Sequence, residues 1–133
     1  MLDISALEKV IARLAEGIAR YQQAITDTQI RDGLIQRFEF TYELSHKMLK
    51  RDLVSVSPSP DTDQSRALQD LIRSGNAQGR LQCDWPTWRR YSEMRGMTSH
   101  TYDEDTALAV VDAIPSFLAE ATYLRDRLKE RGT

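Results

Sequence analysis

Arg95, His100 and Tyr102 are the residues in this chain whose types and spacing best suit chemistry. They fall within Arg95–Asp105 (RGMTSHTYDED), where one apolar helical pattern stops and another begins. A guanidinium is a planar fork for an oxyanion and an imidazole titrates near neutral pH, so the pair suits an anionic ligand or a proton transfer. A continuous helix advances about 100° per residue, so Arg95 and His100, five apart, would point roughly 140° away from each other. Bringing them together takes a break in the helix or a second subunit. Gly96, Thr98, Ser99 and Thr101 are mediocre helix formers, and Thr101 with Glu104 has the form of a capping box, which predicts a helix–turn–helix junction. Such a junction sets His100 and Tyr102 on either side of a helix N-terminus, where free N–H groups and the dipole favour an anion such as phosphate. The same residues also read as an ordinary interhelical turn with a capping Thr and solvated polar side chains. The pattern alone leaves both readings open.

The elements that must position this junction follow from apolar periodicity. Leu7, Val10, Ile11, Leu14, Ile18, Tyr21 and Ile25 recur at three and four, predicting an amphipathic helix from Ser5 to about Ile25 with Ser5 and Glu8 as its capping box. A polar hinge at residues 26–29 precedes a long helix through Ile30, Leu34, Phe38, Tyr42, Leu49 and Leu53. Glu39 and Glu43 lie one turn apart on it, either a paired-carboxylate site or, more often for such pairs, a solvated face or a salt bridge to an Arg of a neighbouring helix. His46 reads as structural. Residues 54–63 are rich in Pro and Ser and read as a loop, with Asp61 and Asp63 as helix caps. Ala67, Leu68, Leu71 and Ile72 predict a short helix stopped by Gly75 and Asn76. Asp84 is the expected N-cap of a segment whose Trp85, Trp88, Tyr91 and Met94 form a stripe, mostly core, although its interleaved Arg89 and Arg90 also resemble the wall of an RNA groove. A last long helix runs through Ala107, Val110, Ile114, Phe117, Ala121, Leu124 and Leu128, with Pro115 expected to kink it. No segment alternates like a strand, so the expected fold is an all-α up-and-down bundle of four main helices and one short one, a single domain over residues 1–133.

Composition narrows the function classes. A net charge of −2 argues against bulk nucleic-acid binding, so any such site must be local, and most of the 18 basic residues are Arg. The single Cys83 reads as a small buried filler, and with only His46 and His100 beside it the chain offers no recognisable metal cluster. No metal or other cofactor is expected. The first residues lack the basic and apolar blocks of a signal peptide and no apolar run approaches a membrane span, so the cytoplasm is the expected compartment and no membrane partner is expected.

Two blocks together carry a resemblance: Arg37–Leu44 (RFEFTYEL) on the second helix, and Trp88 followed by Arg95-x4-His100-x-Tyr102 at the junction. They resemble the HEPN proteins (higher eukaryotes and prokaryotes nucleotide-binding), specifically the small bacterial toxins encoded beside a minimal nucleotidyltransferase antitoxin. The resemblance spans nearly the whole chain. It implies a HEPN-like domain and a metal-independent endoribonuclease working as a homodimer or higher oligomer, with Arg95 and His100 of both protomers meeting across the interface. It also implies a cognate nucleotidyltransferase that transfers AMP to Tyr102, whose phenol must then reach solvent and not pack against the preceding helix. Arg89, Arg90 and Ser99 are the candidate RNA or nucleotide contacts. One departure is Gly96, where the family often has a polar residue, commonly Asn, so a hydrogen bond from that position is missing. Members of this branch are also described as substrate-binding subunits of nucleotidyltransferases. Histidine and arginine suffice for RNA cleavage, because RNA carries its own nucleophile in the 2′-OH. The transferase chemistry itself has no home here, since no Gly-Ser precedes the Asp61-x-Asp63 pair.

Overall fold

Among residues 3–55 and 67–131, which the computed structural model describes, the apolar spacing becomes five α-helices. They are α1 (Ser5–Gln22), α2 (Thr28–Ser55), α3 (Leu68–Ala77), α4 (Trp85–Gly96) and α5 (Glu104–Arg131), with one turn of 3-10 helix, Thr98–His100, between α4 and α5. No strand occurs among the described residues, and the all-α bundle expected from the periodicity is the fold found. Asp61 and Asp63, read as helix caps, lie outside the described residues.

Side-chain pairings fix the helix directions. Val10 and Arg13 of α1 accept hydrogen bonds through their carbonyls from Thr41 and Arg37 of α2, so these two helices run antiparallel. Arg31 near the start of α2 pairs with Glu104 at the start of α5, and Asp52 near its end pairs with Arg131 at the end of α5, so α2 and α5 run parallel. Helix α4 is antiparallel to α5, through Arg90 to Asp112 and Trp88 to Glu120. Between the helices lies an aromatic cluster of Phe38, Tyr42, Trp88, Tyr91 and Phe117; Tyr91 and Phe117, for instance, meet edge to face at 5.1 Å. The Trp88–Tyr91 stripe is therefore core, with Trp85 and Met94 half-buried at its margins. Helix α5 is long and apolar enough to cross a bilayer by composition alone, but Ala107, Val110, Ile114, Phe117, Ala121, Leu124 and Leu128 on one side of it are buried in the bundle core. It continues through Pro115.

Several boundaries depart from the sequence expectation, each for a local reason. Helix α1 ends at Gln22, leaving Ile25 exposed, and its first turn is capped by Asp3, which accepts from both the N–H and the hydroxyl of Ser5; Ser5 is a donor there and not the cap. Asp27 caps α2 through the N–H groups of Gln29 and Ile30. Gly75 and Asn76 do not stop α3. Gly75 is buried inside it because a Cβ there would come within 3.0 Å of Leu81 and 3.1 Å of Leu49, and the reversal comes at Gly79, whose φ of 77° is one that L side chains rarely adopt. Asp84 is the N-cap of α4 as expected, accepting from Trp85 N at 2.7 Å.

Candidate active site at the helix junction

Helix α4 ends at Gly96 and the chain tightens into the 3-10 turn, which sets the junction's side chains at the surface while Trp88 and Tyr91 anchor the helix below. Arg95 lies in the last turn of α4 and reaches back to α2. Its Nη2 donates to Glu43 Oε1, and its Nη1 lies 3.6 Å from Glu39 Oε2. Thr98 completes the group: its hydroxyl donates to Glu39 at 2.6 Å and lies 3.5 Å from Arg95 Nη1. The hydrogen bond that Arg95 donates to Glu43 raises its pKa further above the usual range, so the guanidinium stays charged. Of the readings of Glu39 and Glu43, the salt bridge to an Arg of a neighbouring helix is the one found, and that Arg is the candidate catalytic one. The Arg95 Nε is buried with no hydrogen-bond partner.

His100 and Ser99 are exposed on the 3-10 turn, and Tyr102 follows at 88% exposure, its ring 6.3 Å from that of His100 and nearly perpendicular to it. Packing of Tyr102 against the preceding helix is thereby ruled out. Arg89 pairs with Glu93 and Arg90 with Asp112, so neither belongs to the Arg95 cluster. A Cβ at Gly96 would meet nothing within 4 Å, so packing does not require glycine there.

The expected phosphate site at a helix N-terminus is corrected by the structure. Helix α5 starts at Glu104, and Asp103, not Thr101, caps it by accepting from the N–H and hydroxyl of Thr106. Those two bonds, the hydroxyl's foremost, hold the Asp103 carboxyl below its usual range. The protein's own carboxylate thus occupies the place an anion would take, and both His100 and Tyr102 precede the helix and do not flank its first residue. An open depression of about 350 Å³ adjoins the turn, between α2 and Thr98 and Thr101, but Asp32 and Glu39 make its lining acidic.

Two buried carboxylates away from the Arg95 cluster, Glu120 and Asp52, were not singled out from the sequence. Glu120 of α5, 1% exposed, accepts from Gln82 N, Cys83 N and Trp88 Nε1 at 2.8–2.9 Å, tying the loop before α4 to α5. Asp52 binds Arg80 and Arg131, both at 2.8 Å. Burial, with the nearby Glu120 charge, pushes the Cys83 thiol up to about 11, so it stays protonated at neutral pH and is no nucleophile. Among the described residues no group of three His, Cys, Asp or Glu side chains could hold a metal ion.

A family model described as nucleotidyltransferase substrate binding protein like matches residues 2–130. A probable ribonuclease HepT of Haemophilus influenzae is 39% identical over 110 residues, covering 83% of this chain and 75% of that protein. A solved structure from the same organism, described as revealing the fold of a substrate binding domain of a nucleotidyltransferase, matches with a TM-score of 0.89 at 31% identity, over 96% of this chain and 99% of that one.

Proposed function

The chain belongs to the family described as nucleotidyltransferase substrate binding protein like, the family its two sequence blocks resemble, and on that premise we propose that it is a metal-independent endoribonuclease toxin. The observation that carries this reading is the placement of Arg95. Its guanidinium is held charged by Glu43 and Glu39, the latter also bound by the Thr98 hydroxyl, at the foot of an exposed turn that presents His100. In this reading His100 moves the proton: the 2′-OH loses it as its oxygen bonds to phosphorus, the bond from phosphorus to the 5′-oxygen breaks, and that oxygen leaves protonated. Arg95 stabilises the charge that builds on the phosphorane oxygens. A second protomer supplies a second Arg–His pair. Met97 and Leu108, exposed apolar side chains on either side of the turn, support a homodimer formed there. Incubated with single-stranded RNA and a chelator, the purified chain should yield fragments ending in a cyclic phosphate. A folded oligomer that leaves RNA intact would favour the second reading, a non-catalytic nucleotide- or substrate-binding subunit of a partner transferase, which the family description and the matched structure support.

Regulation in this reading is by the cognate minimal nucleotidyltransferase, with the Tyr102 phenol as AMP acceptor. The phenol oxygen attacks the α-phosphorus of ATP, pyrophosphate leaves, and the phenolic proton goes to solvent. The exposure of Tyr102 and its nearness to His100 support this, since a nucleotide there would sit where RNA must enter and its phosphate would repel the substrate backbone. Co-expression with the transferase should add whole AMP units by intact mass, and Tyr102→Phe should abolish them. Increments that survive in that variant, or a modified protein that still cuts RNA, would sink the assignment.

A further inference from the structure

One turn beyond Glu43, on the face of α2 that holds Arg95, the carboxylates give way to Lys47, Lys50 and Arg51. With Val54 and Ser55 they line an open pocket of about 330 Å³. The three cations fall within about 6 Å of helix axis, since Lys47 and Arg51 are four residues apart at about 1.5 Å each.

Many of the protein's other cations pair with carboxylates, Arg31 with Glu104, Arg80 and Arg131 with Asp52, Arg90 with Asp112, while Lys9 and Arg20 on α1 stand singly among the described residues and Arg37 donates to a carbonyl. Among the described residues Lys47, Lys50 and Arg51 make no ion pair. The nearest carboxylates along α2 are already engaged, Glu43 with Arg95 and the buried Asp52 with its two arginines. Their positive field is felt locally, for burial and then the Lys50 charge push the pKa of half-buried His46 down. Like charges at this helical spacing repel one another and bring the folded monomer nothing, so a ligand with repeated negative charge is what they suit.

We propose that Lys47, Lys50 and Arg51 form a track for the phosphodiester backbone of the RNA strand that enters the Arg95 site, an inference that rests on the ribonuclease reading. The cations line up along one helix at turn spacing and continue directly from the carboxylate that holds Arg95, which matches a strand passing through that site better than an acidic protein segment docking apart from it. The track positions RNA and takes no part in the chemical step.

The test uses the full chain carrying His100→Ala, so that RNA is bound without being cut, and follows anisotropy of a labelled single strand across salt concentrations. Each lost phosphate contact lowers the log–log salt slope by about 0.7 for single strands, so Lys47→Gln should lower it by about 0.7 and the triple Lys47→Gln, Lys50→Gln, Arg51→Gln variant by about 2. A slope change of about 2 corresponds to roughly hundredfold weaker binding near 0.1 M salt. Lys9→Gln on α1 removes the same charge elsewhere and should leave the slope unchanged. Gln is a good helix former, and circular dichroism checks that α2 survives. An insensitive slope, or an equal drop from Lys9→Gln, overturns the track. So does loss of transferase association in the triple variant with RNA binding intact, which would assign the surface to the protein partner. RNA cleavage by the parent chain alongside an insensitive slope keeps the ribonuclease reading and removes the track; a sensitive slope without any cleavage does the reverse.

Discussion

Replacing His100 by Ala should lower RNA cleavage by roughly 10²–10⁴-fold, and Arg95→Ala should lower it by a comparable factor, as expected for a proton-transfer group and for a preorganised donor to developing charge. The structure separates these losses from damage to the fold. His100 is exposed, and its part in the turn is a backbone one, its N–H donating to Met97 O at 2.9 Å and its carbonyl accepting from Asp103 N. Ala keeps both. Arg95 is different, because removing it leaves Glu39 and Glu43 without their shared cation. The side chains of that cluster are between 30% and 53% exposed, however, and ion pairs so open to solvent contribute on the order of 0–1 kcal/mol. Arg95→Ala should therefore unfold within about 1 kcal/mol of the parent while losing nearly all its activity. Arg95→Lys keeps the charge without the planar fork and should recover part of the rate. Single-turnover cleavage with chelator present, beside denaturant unfolding of the same variants, reads both quantities. His100→Ala cutting RNA at the parent rate would remove the imidazole from the mechanism. Sedimentation should also give at least a dimer; a strict monomer that still cuts would end the shared-cleft arrangement.

The helices were legible because burial imposes a period: Leu34, Phe38 and Tyr42 on α2 and Val110, Ile114 and Phe117 on α5 could be placed by spacing alone, and all are buried. Helix caps were read less well, since a capping box is only a spacing of three between common residue types. Ser5 with Glu8 and Thr101 with Glu104 satisfied it, while Asp3 and Asp103, two residues away in either direction, hold the N–H groups instead. Gly75 was misread because a stop signal and a close-packing requirement select the same residue. At the site, Arg95, His100 and Tyr102 were visible as residue types, and Glu39 and Glu43 as a pair that often meets an Arg. That the Arg is Arg95, more than fifty positions on, is a tertiary contact with no local signature. Two further residues did leave a trace. Asp52 lies between Leu49 and Leu53, and Glu120 between Phe117 and Ala121, both in phase with a buried stripe. An acid at such a position is costly unless its oxygens are satisfied, which was itself reason to seek partners for it.

Glu120→Ala should accordingly destabilise the protein by about 3–5 kcal/mol, although Glu120 touches none of the proposed chemistry. Its two oxygens serve three donors, the N–H groups of Gln82 and Cys83 and the indole of Trp88, and Trp88 is fully buried. Removing the carboxylate strands these donors, each at a cost of about 1–3 kcal/mol where water does not replace the lost partner, and leaves a gap beside Phe117 and Ala121. For a domain whose whole stability is on the order of 5–15 kcal/mol, that is a large share. Glu120→Gln should cost less, about 1–3 kcal/mol, because its carbonyl can take the Oε2 position and keep the bonds to Cys83 and Trp88 while its amide confronts only the Gln82 N–H. The cost of Glu120→Gln is the sharper part of the expectation, since lost volume alone would leave Gln near the parent. Denaturant midpoints with unchanged slopes measure it. Glu120→Ala unfolding within about 0.5 kcal/mol of the parent would show that this carboxylate does not hold the loop before α4 to α5, and that some other contact sets where α4 delivers Arg95.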